Sequence, residues 1–147
     1  MVIAASTADS GSLVVIEQFR VPLEKIVVEF PAGLVDEAEE LAQTAARELR
    51  EETGFEGEIL EIGPGVSTTA GLSTETIHMV FMRVGERPAA DPSPEGSEHI
   101  TVRLVAPGDF GAFLAECRRE DRLLDAKLYL YLRERAGASA RPRPHGS

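Results

Sequence analysis

Between Gly33 and Phe55 the chain reads GLVDEAEELAQTAARELREETGF, and this stretch limits the possible folds more than any other. Leu41, Ala45 and Leu49, with Ala42 and Ala46 beside them, recur at three- and four-residue spacing, which predicts an amphipathic helix over roughly residues 40–53. Gly54 follows as a stop. Asp36 and Glu39 offer a capping box, which would move the helix start to near Glu37. A helix turns by about 100° per residue, so Glu48 and Glu52 share a face and Glu51 lies beside them. Three carboxylates on one turn repel each other, and a merely structural helix gains little from that arrangement. A hard divalent cation relieves the repulsion, because magnesium takes oxygen ligands and sits between carboxylates and substrate phosphates. Arg47 precedes the cluster and can hold one carboxylate by a forked hydrogen bond. For ELREE alone, a solvated acidic surface is the plainer reading. The wider spacing decides between them.

The rest of the sequence has to supply a core for that helix. At 147 residues, with 43% hydrophobic and 27% charged residues, the chain has the size and composition of one globular domain. Its formal net charge of −10 argues against a partner bound through its phosphate backbone, so no nucleic-acid partner is expected. A small anionic ligand stays compatible with that charge if carboxylates first gather metal ions. Cys117 is the single cysteine, so no internal disulfide forms, and its apolar helical surroundings mark it as packing. No apolar run approaches the roughly 20 residues of a membrane helix. The opening MVIAASTADSG has no basic leader. A cytoplasmic protein with no membrane partner is the expectation.

Strand signals flank the helix. Val2–Ala5 and Leu13–Glu17 read as strands joined by a turn at Asp9-Ser10-Gly11, and Ile26–Phe30 as a third. Strand-like residues run from Gly57 towards Val66. Thr76–Val84 is the strongest strand and Ile100–Val105 another, with Gly85–Ser97 as a proline-containing loop between them. Asp109–Arg119 and Arg122–Arg135 read as helices, the second carrying a stripe of Leu124, Leu128 and Leu132. The order of elements predicts an α+β fold, with a mixed β-sheet between helices. One domain spans 1–135, and a disordered tail is expected over 136–147. His78 reads as a hydrogen-bonded core residue.

Gly33, Glu39, Arg47, Glu48, Leu49, Glu51, Glu52, Gly54 and Phe55 fit every specified position of the pattern G-x5-E-x7-R-E-U-x-E-E-x-G-U, where U is apolar. In this the chain resembles the Nudix hydrolases. The resemblance implies an α/β/α sandwich, with this loop–helix–loop carrying the metal site. It implies Glu48 and Glu52 as principal ligands of Mg2+ (with Mn2+ as a substitute), and Glu51 as a further ligand or supporting carboxylate. Arg47 matches the arginine that orients those carboxylates, and Gly33 the sharp turn. Glu39 matches a position open to capping, supporting or metal-contact roles.

Upstream, VVIEQFRVPLEKIVVEFPAGLVDE resembles the ADP-ribose pyrophosphatase branch, with its Gln-x-Arg strand and E-x-P-A-G entry. That likeness implies the Ala32 carbonyl as a metal ligand, Arg20 as a contact to substrate phosphate and Glu29 at the substrate cleft. Downstream, TAGLSTETIHMVF is similar to the branch's substrate loop, which brings in Gly71 and Leu72. SEHITVRLV is similar to its late loop, where a glutamate serves as base or orients water; Glu98 takes that place, with Glu95 as understudy. DRLLDAKLYLYLRE resembles its last helix. The likeness spans about Val14 to Arg135.

Two features depart from the branch. Ala70 stands where a proline marks ADP-ribose specificity; and where the branch carries an extra N-terminal sheet that swaps with a partner and supplies aromatic stacking, this sequence starts almost at the core domain and has no Trp, so different base recognition and dimer contacts are expected. The expected reaction is magnesium-dependent hydrolysis of the pyrophosphate bond of ADP-ribose or a similar nucleoside diphosphate sugar. The alternatives are a GDP-sugar, dinucleotide or oxidised-nucleotide substrate, or a non-catalytic nucleotide-sugar sensor. The expected partner is a small nucleotide-sugar substrate, with a homodimer left open.

Overall fold

A computed structural model describes residues 1–36, 38–93 and 99–140, the last four as backbone. Its strands are β1 (Val2–Thr7), β2 (Leu13–Arg20), β3 (Lys25–Glu29), β4 (Gly57–Ile62), β5 (Val66–Ser67), β6 (Thr76–Ile77), β7 (Met79–Val84), β8 (Ile100–Val105) and β9 (Leu123–Leu124). Its helices are α1 (Leu41–Thr53), α2 (Phe110–Arg119) and α3 (Ala126–Ala140). The main sheet is mixed and runs β4-β7-β1-β2-β3-β9, with β8 paired to β2. The β1/β7 and β3/β9 pairs are parallel and the others antiparallel. A separate two-stranded ladder joins β5 to β6.

Period-two alternation gives the sheet two apolar faces. On β1, Ile3 and Ala5 pack on one side with Val14, Ala45, Leu49 and Phe55, the layer under α1. Val2 and Ala4 point the other way, towards Val28, Phe30, Phe113, Cys117, Leu128 and Leu132, the layer under α2 and α3. Helices on both faces of a mixed sheet make the α/β/α arrangement expected. Cys117 is fully buried in that second layer, as packing requires.

Burial of Leu49 supports α1 by about 1.5–3 kcal/mol. Gly54 ends the helix at φ 73°, with its N–H donating to the Arg50 carbonyl at 2.8 Å, the left-handed cap that glycine reaches without a Cβ penalty. The start differs from the capping-box expectation. Glu40 is the N-cap with no side-chain cap bond, while Asp36 and Glu39 belong to a preceding turn in which the Glu39 N–H meets the Asp36 carbonyl at 3.0 Å. The Glu39 carboxylate is drawn away to Arg47.

The last helix requires a correction as well. Leu123 and Leu124 are not its first turn but a short strand beside Val27 and Val28 of β3. Backbone hydrogen bonds offered by β3 outweigh the helical spacing of Leu124. Asp125 ends that strand, its N–H donating to the Val28 carbonyl at 2.9 Å, and starts α3 by accepting the Lys127 N–H on Oδ1 at 2.9 Å. The helix continues past Arg135 to Ala140, where an unstructured tail was expected from Ala136; its remainder lies outside the described residues.

Glu17 binds the two halves of the second layer together. It is 7% exposed and accepts from Arg103 at 3.0 Å and Arg122 at 2.6 Å, and Arg103 also donates to Glu116 on α2 at 2.8 Å. Two guanidinium groups neutralise a carboxylate that burial alone would penalise. The same arginine anchors β8, the strand that follows residues 94–98. Among the described residues no helix is long and apolar enough to cross a membrane.

Candidate active site

The site is built where the segment after β3 crosses the start of β1. The Ile3 N–H donates to the Pro31 carbonyl at 2.8 Å, and Val2 bridges Ala32. This fixes the backbone at Ala32 and Gly33 beneath α1. The Ala32 N–H donates to Glu52 Oε2 at 3.0 Å, and Glu52 is 8% exposed. A β-carbon on Gly33 would overlap the Glu48 carboxylate. Glycine is therefore needed here for close approach. Glu48 and Glu52, one turn apart on α1, thus meet the same short piece of backbone.

Arg47 organises the neighbouring carboxylates. Its Nε and Nη2 donate to the two oxygens of Glu39 at 3.1 and 3.2 Å, and its Nη1 donates to Glu51 at 2.9 Å. Nη1 also lies 3.1 Å from Glu48 Oε1. The forked bond to Arg47, aided by Thr44, holds the Glu39 carboxyl below its ordinary value. The same carboxylates, Glu39 first, push the Arg47 guanidinium further up. Glu39 is therefore paired with Arg47.

Among the described residues no group of three or more Asp, Glu, His or Cys side chains gathers at metal-binding separation. Glu51 is turned to Arg47, which leaves Glu48 and Glu52 as the pair facing the Ala32–Gly33 backbone. Two carboxylates side by side fit magnesium, which takes oxygen ligands, retains several waters and draws its other ligands from substrate phosphates.

The Ala32–Gly33 edge opens into a cleft of about 850 Å³. Arg20 and Glu29 line one wall, joined by a 2.8 Å bond from Nε to Oε1. Phe30 also lines it, edge-on to Tyr131 with ring centroids 5.5 Å apart. Thr68, Glu75, Thr76 and His78 line it as well. A second hollow of about 650 Å³ lies on the other flank of α1, bounded by Arg47, Glu51, Ala90 and Ser93. It lacks the Ala32–Gly33 edge.

The expected site residues do not all converge. Arg20, Glu29 and Ala32 line the cleft, and Glu48 and Glu52 adjoin it, Glu48 through Gly33 and Glu52 through the Ala32 N–H. Gly71 and Leu72 lie instead on an exposed turn in which the Leu72 N–H meets the Thr69 carbonyl, and Leu72 is 92% exposed. The two ends of that loop, Thr68 and Glu75, reach the cleft and bond to each other at 2.9 Å. Glu95 and Glu98 lie outside the described residues. His78 interrupts the expected Thr76–Val84 strand, with Nδ1 2.9 Å from the Gly63 carbonyl. It is hydrogen-bonded as expected, yet half-buried on the cleft wall. Asp125 and Lys127 also line the cleft, and the sequence reading missed both. Their only local signal was an Asp placed to cap a helix, which a helix drawn from Arg122 conceals.

The NUDIX domain family profile matches residues 1–127. An ADP-sugar pyrophosphatase of Mus musculus is 35% identical over 124 residues, covering 81% of this chain and 57% of that protein. An ADP-ribose pyrophosphatase of Saccharomyces cerevisiae is 38% identical over 116 residues, covering 76% and 50%. The chain thus spans about half the length of these curated relatives. A crystal structure of an ADP compounds hydrolase matches with a TM-score of 0.62 at 19% identity, covering 77% of this chain and 60% of that one. That likeness bears on the fold.

Proposed function

The chain belongs to the NUDIX domain family, and from that premise we propose that it hydrolyses the pyrophosphate bond of ADP-ribose or a similar nucleoside diphosphate sugar with magnesium. The products are a nucleoside monophosphate and a sugar phosphate. The observation that carries this reading is the seating of Glu48 and Glu52 against Ala32 and Gly33, at the edge of a cleft that also contains Arg20. Relatives named as ADP-sugar and ADP-ribose pyrophosphatases support the substrate class.

In this reading Glu48, Glu52 and the Ala32 carbonyl hold the metal, and Arg47 keeps Glu51 and Glu39 in place around it. When bound, the ion supplies charge neutralisation for the phosphoryl oxygens and makes water more acidic. Arg20 contacts a substrate phosphate, and Glu29 orients the guanidinium through the bond they already share. A water oxygen bonds to one phosphorus as the bridging P–O bond breaks. The water's proton goes to a base on the 94–98 segment, for which Glu98 is the proposed residue and Glu95 the understudy. The Ala32–Gly33 backbone matters as much as the carboxylates, because it sets where they point.

The test is product release from ADP-ribose, GDP-mannose, dinucleotides and nucleoside triphosphates, each with and without magnesium. Magnesium-dependent turnover centred on ADP-ribose or another ADP-sugar supports the reading despite Ala70. Turnover centred on another class of the panel replaces the substrate and keeps the chemistry. A folded, magnesium-binding protein inactive on every member overturns the proposal.

A further inference from the structure

We propose that Lys127 is a second phosphoryl-contacting residue of the cleft, setting affinity for the diphosphate and taking no part in the chemistry. The inference rests on the cleft being the site of a nucleoside diphosphate derivative. Arg20 and Lys127 are the side-chain cations among the described residues that line it, beside the Met1 ammonium that donates to the Gly33 carbonyl at 2.7 Å, and they are set against the carboxylates of Glu29, Glu75 and Asp125. Such a lining is a poor host for a diphosphate unless its side-chain cations meet the ligand. Lys127 is built to do so. Its Nζ donates to Asp125 Oδ2 at 2.7 Å, while Asp125 Oδ1 accepts the Lys127 backbone N–H at 2.9 Å.

Asp125 is itself fixed, since its N–H donates to the Val28 carbonyl at 2.9 Å, one residue from Glu29. The ammonium is therefore held on the same wall as the Arg20–Glu29 pair, with its side chain 34% exposed. One of its three donors is engaged with Asp125 in that bond, and a compact ammonium can turn the others to phosphoryl oxygen. Its element, the start of α3, is separate from the α1 carboxylates. Lys127 is thus assigned to binding, and its loss is expected to act on KM.

The test compares Lys127→Met, which keeps the apolar stem, with Lys127→Arg, which keeps the charge. Calorimetry with ADP and with adenosine reads binding without hydrolysis, and steady-state kinetics on ADP-ribose reads KM and kcat. Lys127→Met is expected to weaken ADP binding and raise KM by about tenfold, the loss typical of a charge-assisted hydrogen bond. Adenosine binding and kcat should stay within about twofold, and Lys127→Arg should recover most of the ADP affinity. ADP affinity equal in Lys127→Met and the parent overturns the assignment, as does an equal loss for adenosine. A parent protein that binds ADP yet hydrolyses no ADP-ribose sinks the pyrophosphatase reading, and the ADP comparison still judges Lys127.

Discussion

The Glu48 carboxylate occupies the space that a β-carbon on Gly33 would fill. The overlapping atoms belong to the end of a flexible side chain, so an alanine there displaces the carboxylate and leaves the backbone path intact. Gly33→Ala is therefore expected to shift Tm by less than about 4 °C, the change that corresponds to about 1 kcal/mol in a domain of this size. Turnover should fall by about a hundredfold or more, the loss associated with an ångström of misplacement. Thermal unfolding and kcat on one preparation check both halves. A variant that unfolds early would place Gly33 in the folding of the loop instead.

Glu52 accepts the Ala32 N–H, and a glutamine carbonyl can keep that bond. Glu52→Gln should consequently fold like the parent. What it lacks is the anionic charge for a divalent ion, and turnover should drop at least about a hundredfold, given the several kcal/mol a catalytic metal contributes. Magnesium at a hundred times its Kd should stabilise the parent by about 2.7 kcal/mol through linkage, and chelation should remove that gain. In Glu52→Gln the magnesium-induced rise in Tm should disappear. A variant that kept both activity and the rise would refute the assignment.

Arg47 spans Glu39 with two nitrogens while a third reaches Glu51. A lysine ammonium carries the charge but cannot bridge that geometry. Arg47→Lys is expected to lose about 10- to 100-fold in magnesium affinity or kcat, the range for residues that orient metal ligands. Because the Arg47 side chain is 35% exposed, the accompanying change in stability should be small. Magnesium titration followed by kinetics separates the two effects.

Arg103 holds the Glu116 carboxyl below its ordinary value of 4.5. A carboxylate depressed in the folded state contributes stability above that value, and the contribution is lost as pH falls through the lower, folded one. The Tm deficit of Arg103→Met should therefore be widest at neutral pH and narrow below pH 4.5. A gap independent of pH would mean that Arg103 acts through its packing over the Phe113 ring, at 5.4 Å, and not through its charge.

Much of the fold was legible because it repeats locally. The 3.6-residue spacing of Leu41, Ala45 and Leu49 sets α1, and Gly54 ends it; alternation along Val2–Ala5 and Leu13–Glu17 sets strands with two apolar faces. Glu48 and Glu52 share a face for the same reason, whatever surrounds them. Lys127 was not legible, because its place depends on Leu123 and Leu124 pairing with β3, more than ninety residues earlier in the chain. Helical spacing favoured the other outcome there, and only the open hydrogen bonds of β3 reversed it. Glu39 turning to Arg47, and Thr68 and Glu75 reaching the cleft while Leu72 faces solvent, were settled by tertiary contacts in the same way. Local periodicity thus determined which side chains lie together on one element, and the distances between elements, which only packing fixes, decided which of them meet across the cleft.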